Sequence, residues 1–196
     1  MAIRKILRFP DDKELLRRKS FEVSRGDDIK GIVKDLKDTL AANPGAGLAA
    51  PQIGIFKRVV MIRFGQDEGE MKPPIAFINP KITEVGELST GFDGCLSIPG
   101  LVTWDTLRPS WLVVTALNEN WKKIKIRVEG IDARLVHHEV DHLEGILFLD
   151  RVQKGDQLYI TRETDDGETL EKLSIYSSIS SDSRKNKLGF PEILSE

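Results

Sequence analysis

The sequence predicts a single α+β domain followed by a polar tail. Two stretches carry apolar residues at helical spacing, and between them lie short β-type runs separated by turn residues. The chain has 196 residues, 40% hydrophobic and 31% charged, which suits one domain with a substantial core.

Residues 1–24 mix charges with a few apolar side chains around Pro10 and predict an extended arm. From Asp27 to Ala42, the residues Ile29, Ile32, Val33, Leu36 and Leu40 recur at helical spacing. Asp27 and Asp28 favour the positive end of that helix, and Asn43-Pro44-Gly45 ends it. A stretch of small residues, Gly45 to Gln52, follows. Strand-like runs come next at Arg58–Phe64, Ile75–Asn79, Ile82–Leu88 and Trp111–Leu117, with a polar loop from Gly65 to Pro74. The turn Asn118-Glu119-Asn120 predicts a hairpin to the alternating run Lys122–Val128. Gly130 breaks the chain, and Ile131–Glu144 reads as a second helix. Its apolar face is Ile131, Leu135, Val136 and Leu143, with His138 and His142 on the same side and Gly145 as the stop. A boundary at 155–156 divides a domain over residues 1–155 from a tail over 156–196. The tail is rich in Ser, Asp, Glu and Lys, with a short strand expected at Leu173-Ser174-Ile175-Tyr176 and the rest expected to be mobile.

Bulk properties exclude several classes of function. A net charge of −2 and a pI near 6.0 give no basic surplus for nucleic acid. The single cysteine cannot form an intrachain disulfide, which suits a reducing compartment. The start is basic but has no apolar segment of secretory length, and no run approaches a membrane span. The expected location is the cytoplasm, with organellar import left open.

The chemistry concentrates in His138-Glu139-Val140-Asp141-His142. All three histidines of the chain fall between positions 137 and 142. A helix sets His138 and His142 one turn apart on one face, where both imidazoles reach a common metal ion. Glu139 then stands beside the metal, free to move protons. An H-E-x-x-H match arises by chance in a chain of this length about once in two hundred. A hydrolytic metal site needs a third protein ligand and an open position for water. With no histidine left, Cys95 in Asp93-Gly94-Cys95-Leu96-Ser97 is the candidate. A metallopeptidase using a downstream glutamate (Glu163, Glu168 or Glu171) is a rival reading, though it leaves Cys95 without a role. A globular domain without metal is the plainest alternative.

Three blocks stand in order: Gly45-Ala46-Gly47-Leu48-Ala49-Ala50-Pro51-Gln52, then Asp93-Gly94-Cys95-Leu96-Ser97, then His137-His138-Glu139-Val140-Asp141-His142. Together they resemble the signatures of peptide deformylases, G-x-G-x-A-A-x-Q, E-G-C-L-S and Q-H-E-x-D-H, over roughly residues 3–150. The resemblance implies an α+β fold with antiparallel strands around a central helix that carries the histidines. It also implies removal of the formyl group from nascent proteins that begin with formyl-methionine. One divalent metal, natively Fe(II) and replaceable by zinc, nickel or cobalt, would be held by Cys95, His138 and His142. Glu139 would be the proton carrier, and the Gln52 amide and Leu96 N–H would stabilise the oxyanion. An extended peptide would pair with backbone around Gly47 and Gly94, its first side chain entering a pocket of Ile131, Arg134 and Leu135. The expected partners are nascent formyl-methionyl chains and, transiently, the ribosome, with the protein a monomer or weak dimer. A relative that keeps the metal but has lost or altered its activity is the alternative.

Three positions depart from those signatures. Asp93 replaces Glu, one methylene shorter. His137 replaces Gln and, about 100° around the helix from His138, is expected to pack or hydrogen-bond rather than bind metal. Arg134 falls where the family lines its methionine pocket with apolar side chains, so its guanidinium must either reach out to solvent or change what the pocket accepts. Asp141 is expected to form a structural ion pair.

Overall fold

A computed structural model describes residues 3–65, 72–153, 155, 157–164 and 167–173. The elements run α1 (Lys13–Leu16), α2 (Ile29–Ala41), β1 (Gly47–Ala49), β2 (Val59–Ile62), β3 (Ile75–Val85), β4 (Leu88–Ser89), β5 (Asp93–Cys95), β6 (Ile98–Thr103), β7 (Arg108–Pro109), β8 (Trp111–Leu117), β9 (Lys123–Glu129), α3 (Gly130–Leu143), β10 (Leu158–Thr164) and β11 (Gly167–Leu173). Short 3₁₀ turns occupy Ala50–Ile53 and Phe148–Arg151. The strands form an antiparallel sheet ordered β1-β2-β3-β8-β9, a second ordered β11-β10-β6-β5, and the small pair β4-β7. No helix among the described residues is long and apolar enough to cross a membrane.

The larger sheet is covered on both faces. β2 is apolar at all four positions because its side chains serve two cores. Val59 and Met61 pack with Leu36 and Leu40 of α2, whereas Val60 and Ile62 pack with Val136 and Leu143 of α3. The expected helices and the β8–β9 hairpin are present, with Trp111 paired to Glu129 and Leu117 to Lys123. Asp28 caps α2 by accepting from Gly31 N at 3.0 Å. At the end of α3, Gly145 has φ of 73° and lies against the Arg17 carbonyl, so a side chain is excluded there by both conformation and space.

Three expectations are corrected. The arm contains the short helix α1. The runs Ile75–Asn79 and Ile82–Leu88 are not separate strands. β3 continues through Pro80 by register shifts between Ile78 and Lys81 and between Ile82 and Glu84, and stops at Val85. Asn79 makes that passage with φ of 50°, and its side-chain amide clasps the Val23 backbone at 2.8 and 2.9 Å. Finally, the segment after 156 holds more than a short strand. β10 pairs with both β6 and β11, and its Leu158 is fully buried with Ile98, Phe148 and Val152, so the sheet crosses the position of the expected boundary. The expected strand residues 174–176 lie outside the described residues.

Candidate metal centre and cleft

The site forms where α3 meets β1 and β5. Helical spacing on α3 presents His138 and His142 side by side, their rings 5.0 Å apart between centroids. β5 brings Cys95 from 47 positions away, so that its Sγ lies 3.3 Å from His142 Nε2. The ligand atoms offered by Cys95, His138 and His142 all lie within 4.8 Å of one another. One sulfur and two ring nitrogens, largely buried, are a donor set that fits a small divalent ion with a position left for solvent.

The supports of these groups are spread along the chain. His138 donates from Nδ1 to Asp93 Oδ1 at 2.7 Å, which directs its Nε2 into the site. Asp93 Oδ2 accepts from Arg108 Nε at 2.7 Å and Thr106 Oγ1 at 3.1 Å. Arg108, 1% exposed, uses Nη1 for Asp141 Oδ2 and His137 Nδ1, both at 2.8 Å. Asp141 also receives Nε and Nη2 of Arg151, each at 2.6 Å. The shorter Asp93 carboxylate thus reaches both Arg108 and His138. His137 accepts from Arg108 and takes no part in the ligand group.

Burial and charge set the protonation of the site. Burial opposes ionisation of Asp93 and Asp141, but their cationic partners win: His138 and Arg108 hold Asp93, and Arg151 and Arg108 hold Asp141, well below the usual carboxylate range. Burial lowers His142 well below the usual imidazole range, toward the neutral, ligating form. It also opposes charge on His138, yet the Asp93 carboxylate beside it raises that group well above the usual imidazole range. Glu139 is pushed up to about 7, chiefly by burial. Its Oε2 is buried with no hydrogen-bond partner among the described residues. The carboxylate packs against β1 at Gly47, where any Cβ would collide with it.

Gln52 is 1% exposed and held at both ends. Oε1 accepts from Ala49 N at 2.7 Å, and Nε2 donates to Ser97 Oγ at 3.1 Å with a longer 3.5 Å contact to Cys95 Sγ. The N-terminal arm fixes the same two segments, with Leu7 N donating to Gln52 O and Phe9 N to Ser97 O, each at 2.8 Å.

A cleft of about 470 Å³ opens onto this centre. It is lined by Gly47, Gln52, Gly94, Cys95, Leu96, Ile131, Arg134, Leu135, His138 and Glu139, which gathers the sequence candidates apart from His142, buried behind them. Arg134 lines the cleft but does not reach out to solvent, the first of the two alternatives expected for it. The residue is 8% exposed, and its guanidinium reaches carbonyl oxygens of Ser89 at 2.9 Å, Gly91 at 2.7 Å, Phe92 at 3.3 Å and Thr106 at 2.9 Å. Gly91 makes the room, since a Cβ there would sit 2.9 Å from Arg134 Nε. Sequence reasoning gave Ser97, the last residue of the second block, no role of its own, and it missed Arg108, Thr106 and Arg151. Nothing local marks these three, and an arginine between Leu107 and Pro109 is expected at the surface.

The model of the polypeptide deformylase family matches residues 3–157. The chain belongs to that family. Peptide deformylase 1 of Prochlorococcus marinus is 40% identical over 182 residues, covering 89% of this chain and 93% of the relative. Peptide deformylase of Desulforudis audaxviator is 42% identical over 154 residues, covering 77% and 94%. Among solved structures, the deformylase of Ehrlichia chaffeensis in complex with actinonin aligns at a TM-score of 0.71 and 36% identity, over 79% of this chain and 91% of that one. The activity that goes with the membership is metal-dependent hydrolysis that removes N-formyl groups from nascent peptides.

Proposed function

We propose that Cys95, His138 and His142 hold one divalent metal ion, natively Fe(II) with zinc, nickel or cobalt able to replace it, and that Glu139 carries the proton in hydrolysis of the formyl amide. The convergence of a distant sulfur on two imidazoles, beside a buried carboxylate with an unpartnered oxygen, carries this reading. Bound there, the ion supplies Lewis acidity toward the formyl oxygen and makes water a competent nucleophile near neutral pH. α3 is then the central helix of the catalytic unit.

The side chains divide the remaining work. Glu139 takes a proton from the attacking water and returns one to the departing amine nitrogen, which becomes the free N-terminus. Its pKa of about 7 lets it run both transfers near neutrality. The Leu96 N–H and the Gln52 amide face the oxygen on which charge develops. Gln52 keeps Ser97 as one partner and has its long contact to Cys95 Sγ to exchange for that oxygen. The substrate enters as an added strand. That β1 and β5 each lie at the end of their sheet's strand order supports pairing of an extended peptide with the backbone at Gly47 and Gly94. Ile131, Leu135 and the Arg134 side chain wall the pocket for its first residue. The natural substrates are nascent formyl-methionyl chains in the cytoplasm, met at the ribosome by a monomer or weak dimer. Residues 1–155 supply every proposed site residue.

Metal content and formate release, measured anaerobically on one iron-loaded sample with formyl-Met-Ala-Ser, test this. Glu139→Gln should retain the metal and lose turnover by at least about a hundredfold. Cys95→Ala should lose the metal. No formate at any metal loading would sink the activity, and a metal retained without Cys95 would sink the ligand set.

A further inference from the structure

The outer face of the β11-β10-β6-β5 sheet carries a row of aromatic rings that the hydrolytic chemistry leaves without a role. Strand register creates it. Asp93 pairs with Thr103, Gly94 with Val102, and Tyr159 with Val102. Alternation buries Asp93, Thr103 and Leu158 and turns Phe92, Val102, Trp104 and Tyr159 to the opposite face. The Phe92 and Trp104 rings meet edge-on at 5.3 Å between centroids, and those of Trp104 and Tyr159 at 5.5 Å. Phe92 and Trp104 nevertheless remain 47% and 42% exposed. A single exposed apolar side chain is ordinary, but a row of rings packed edge to face beside a cleft marks a binding surface.

The row is continuous with the cleft, because Phe92 and Val102 line both. Gly94 keeps that junction open, since a Cβ there would lie 3.2 Å from Val102 and 3.4 Å from Phe92. We propose that Phe92, Trp104 and Tyr159 form a ledge for the substrate's third to fifth residues, selecting peptides with apolar or aromatic side chains there. The proposal rests on the deformylase reading of the cleft. An extended peptide advances about 3.3 Å per residue, so the two ring spacings underlie about three residues. Backbone pairing inside the cleft is indifferent to sequence, and the ledge adds preference beyond it.

The test compares formyl-Met-Ala-Ser with formyl-Met-Ala-Phe-Leu-Ser on the metal-loaded full chain, reading kcat and KM separately. The longer peptide should show about fivefold lower KM at similar kcat. Trp104→Ala should bring the ratio of the two KM values to about one, and Trp104→Phe should restore most of it. Because the ratio is taken within one protein, a partial loss of folded enzyme cancels. Equal KM values in the unaltered protein, or a ratio that survives Trp104→Ala, would overturn the ledge. So would a concentration-dependent dimer that Trp104→Arg dissociates, which would assign the row to a second copy of the chain. If neither peptide is hydrolysed, the deformylase reading fails instead, and calorimetric binding of Met-Ala-Phe-Leu-Ser to the Trp104 variants still decides the ledge.

Discussion

Two arginines are buried at one helix, Arg134 on α3 itself and Arg108 on the neighbouring β7, and they are accommodated in opposite ways. Arg108, 1% exposed, lies between the Asp93 and Asp141 carboxylates at 2.7 and 2.8 Å. Arg134, 8% exposed, faces carbonyl oxygens and the Thr106 hydroxyl, and forms no ion pair among the described residues. Its charge is correspondingly unsupported: burial lowers its pKa, and nearby Arg108 opposes the help from Asp93. Arg108 orders charges, and through Asp93 it orders a proposed metal ligand. Arg134 ties the segment from Ser89 to Phe92, and with it one wall of the cleft, onto α3.

The contrast predicts unequal costs. Arg108→Met leaves two buried carboxylates short of a cation and should lower the unfolding free energy by about 3–5 kcal/mol. It should also weaken metal affinity by about 10–100-fold, because Asp93 no longer holds His138 in place. Urea unfolding and a metal-chelator competition read the two effects. Arg134→Met removes its own charge along with its hydrogen bonds. It should cost about 1–3 kcal/mol and leave metal affinity unchanged, with its kinetic effect confined to the preference for the first side chain. Equal stability losses, or a metal defect in the Arg134 variant, would erase the distinction.

Acid sharpens the same comparison by a smaller amount. Asp93 and Asp141 have folded pKa values below the unfolded value of about 3.9, so their contribution is fully present above that pH. It is lost as pH falls toward the folded values. Asp141→Asn should therefore be less stable than the unaltered chain at pH 6 and show a shallower fall below about pH 4. The difference in slope is at most about 1.4 kcal/mol per pH unit for the one proton involved. Parallel urea midpoints for both proteins between pH 6 and pH 2.5 would contradict it.

Legibility in the sequence followed the range of the interactions. β8, β9 and α3 were readable because alternation and helical spacing are local consequences of how side chains leave the backbone. β3 was misread as two strands because Pro80 ordinarily interrupts a ladder, and the Asn79 clasp on Val23 that carries the chain past it spans 56 positions. The hairpin β10–β11 was missed because its apolar anchor, Leu158, is recognisable only once Ile98 and Phe148 surround it.

At the centre, the sequence alone determined that His138 and His142 share a helical face with Glu139 beside them, since one turn of helix places residues four apart. It left open where Cys95 would lie, which carboxylate would hold His138, which arginine would be buried between Asp93 and Asp141, and why Gly47 must lack a side chain. Those contacts join residues 15 to 92 positions apart. Strand register and the approach of two sheets to one helix bring them together, and only the packed chain as a whole sets those distances.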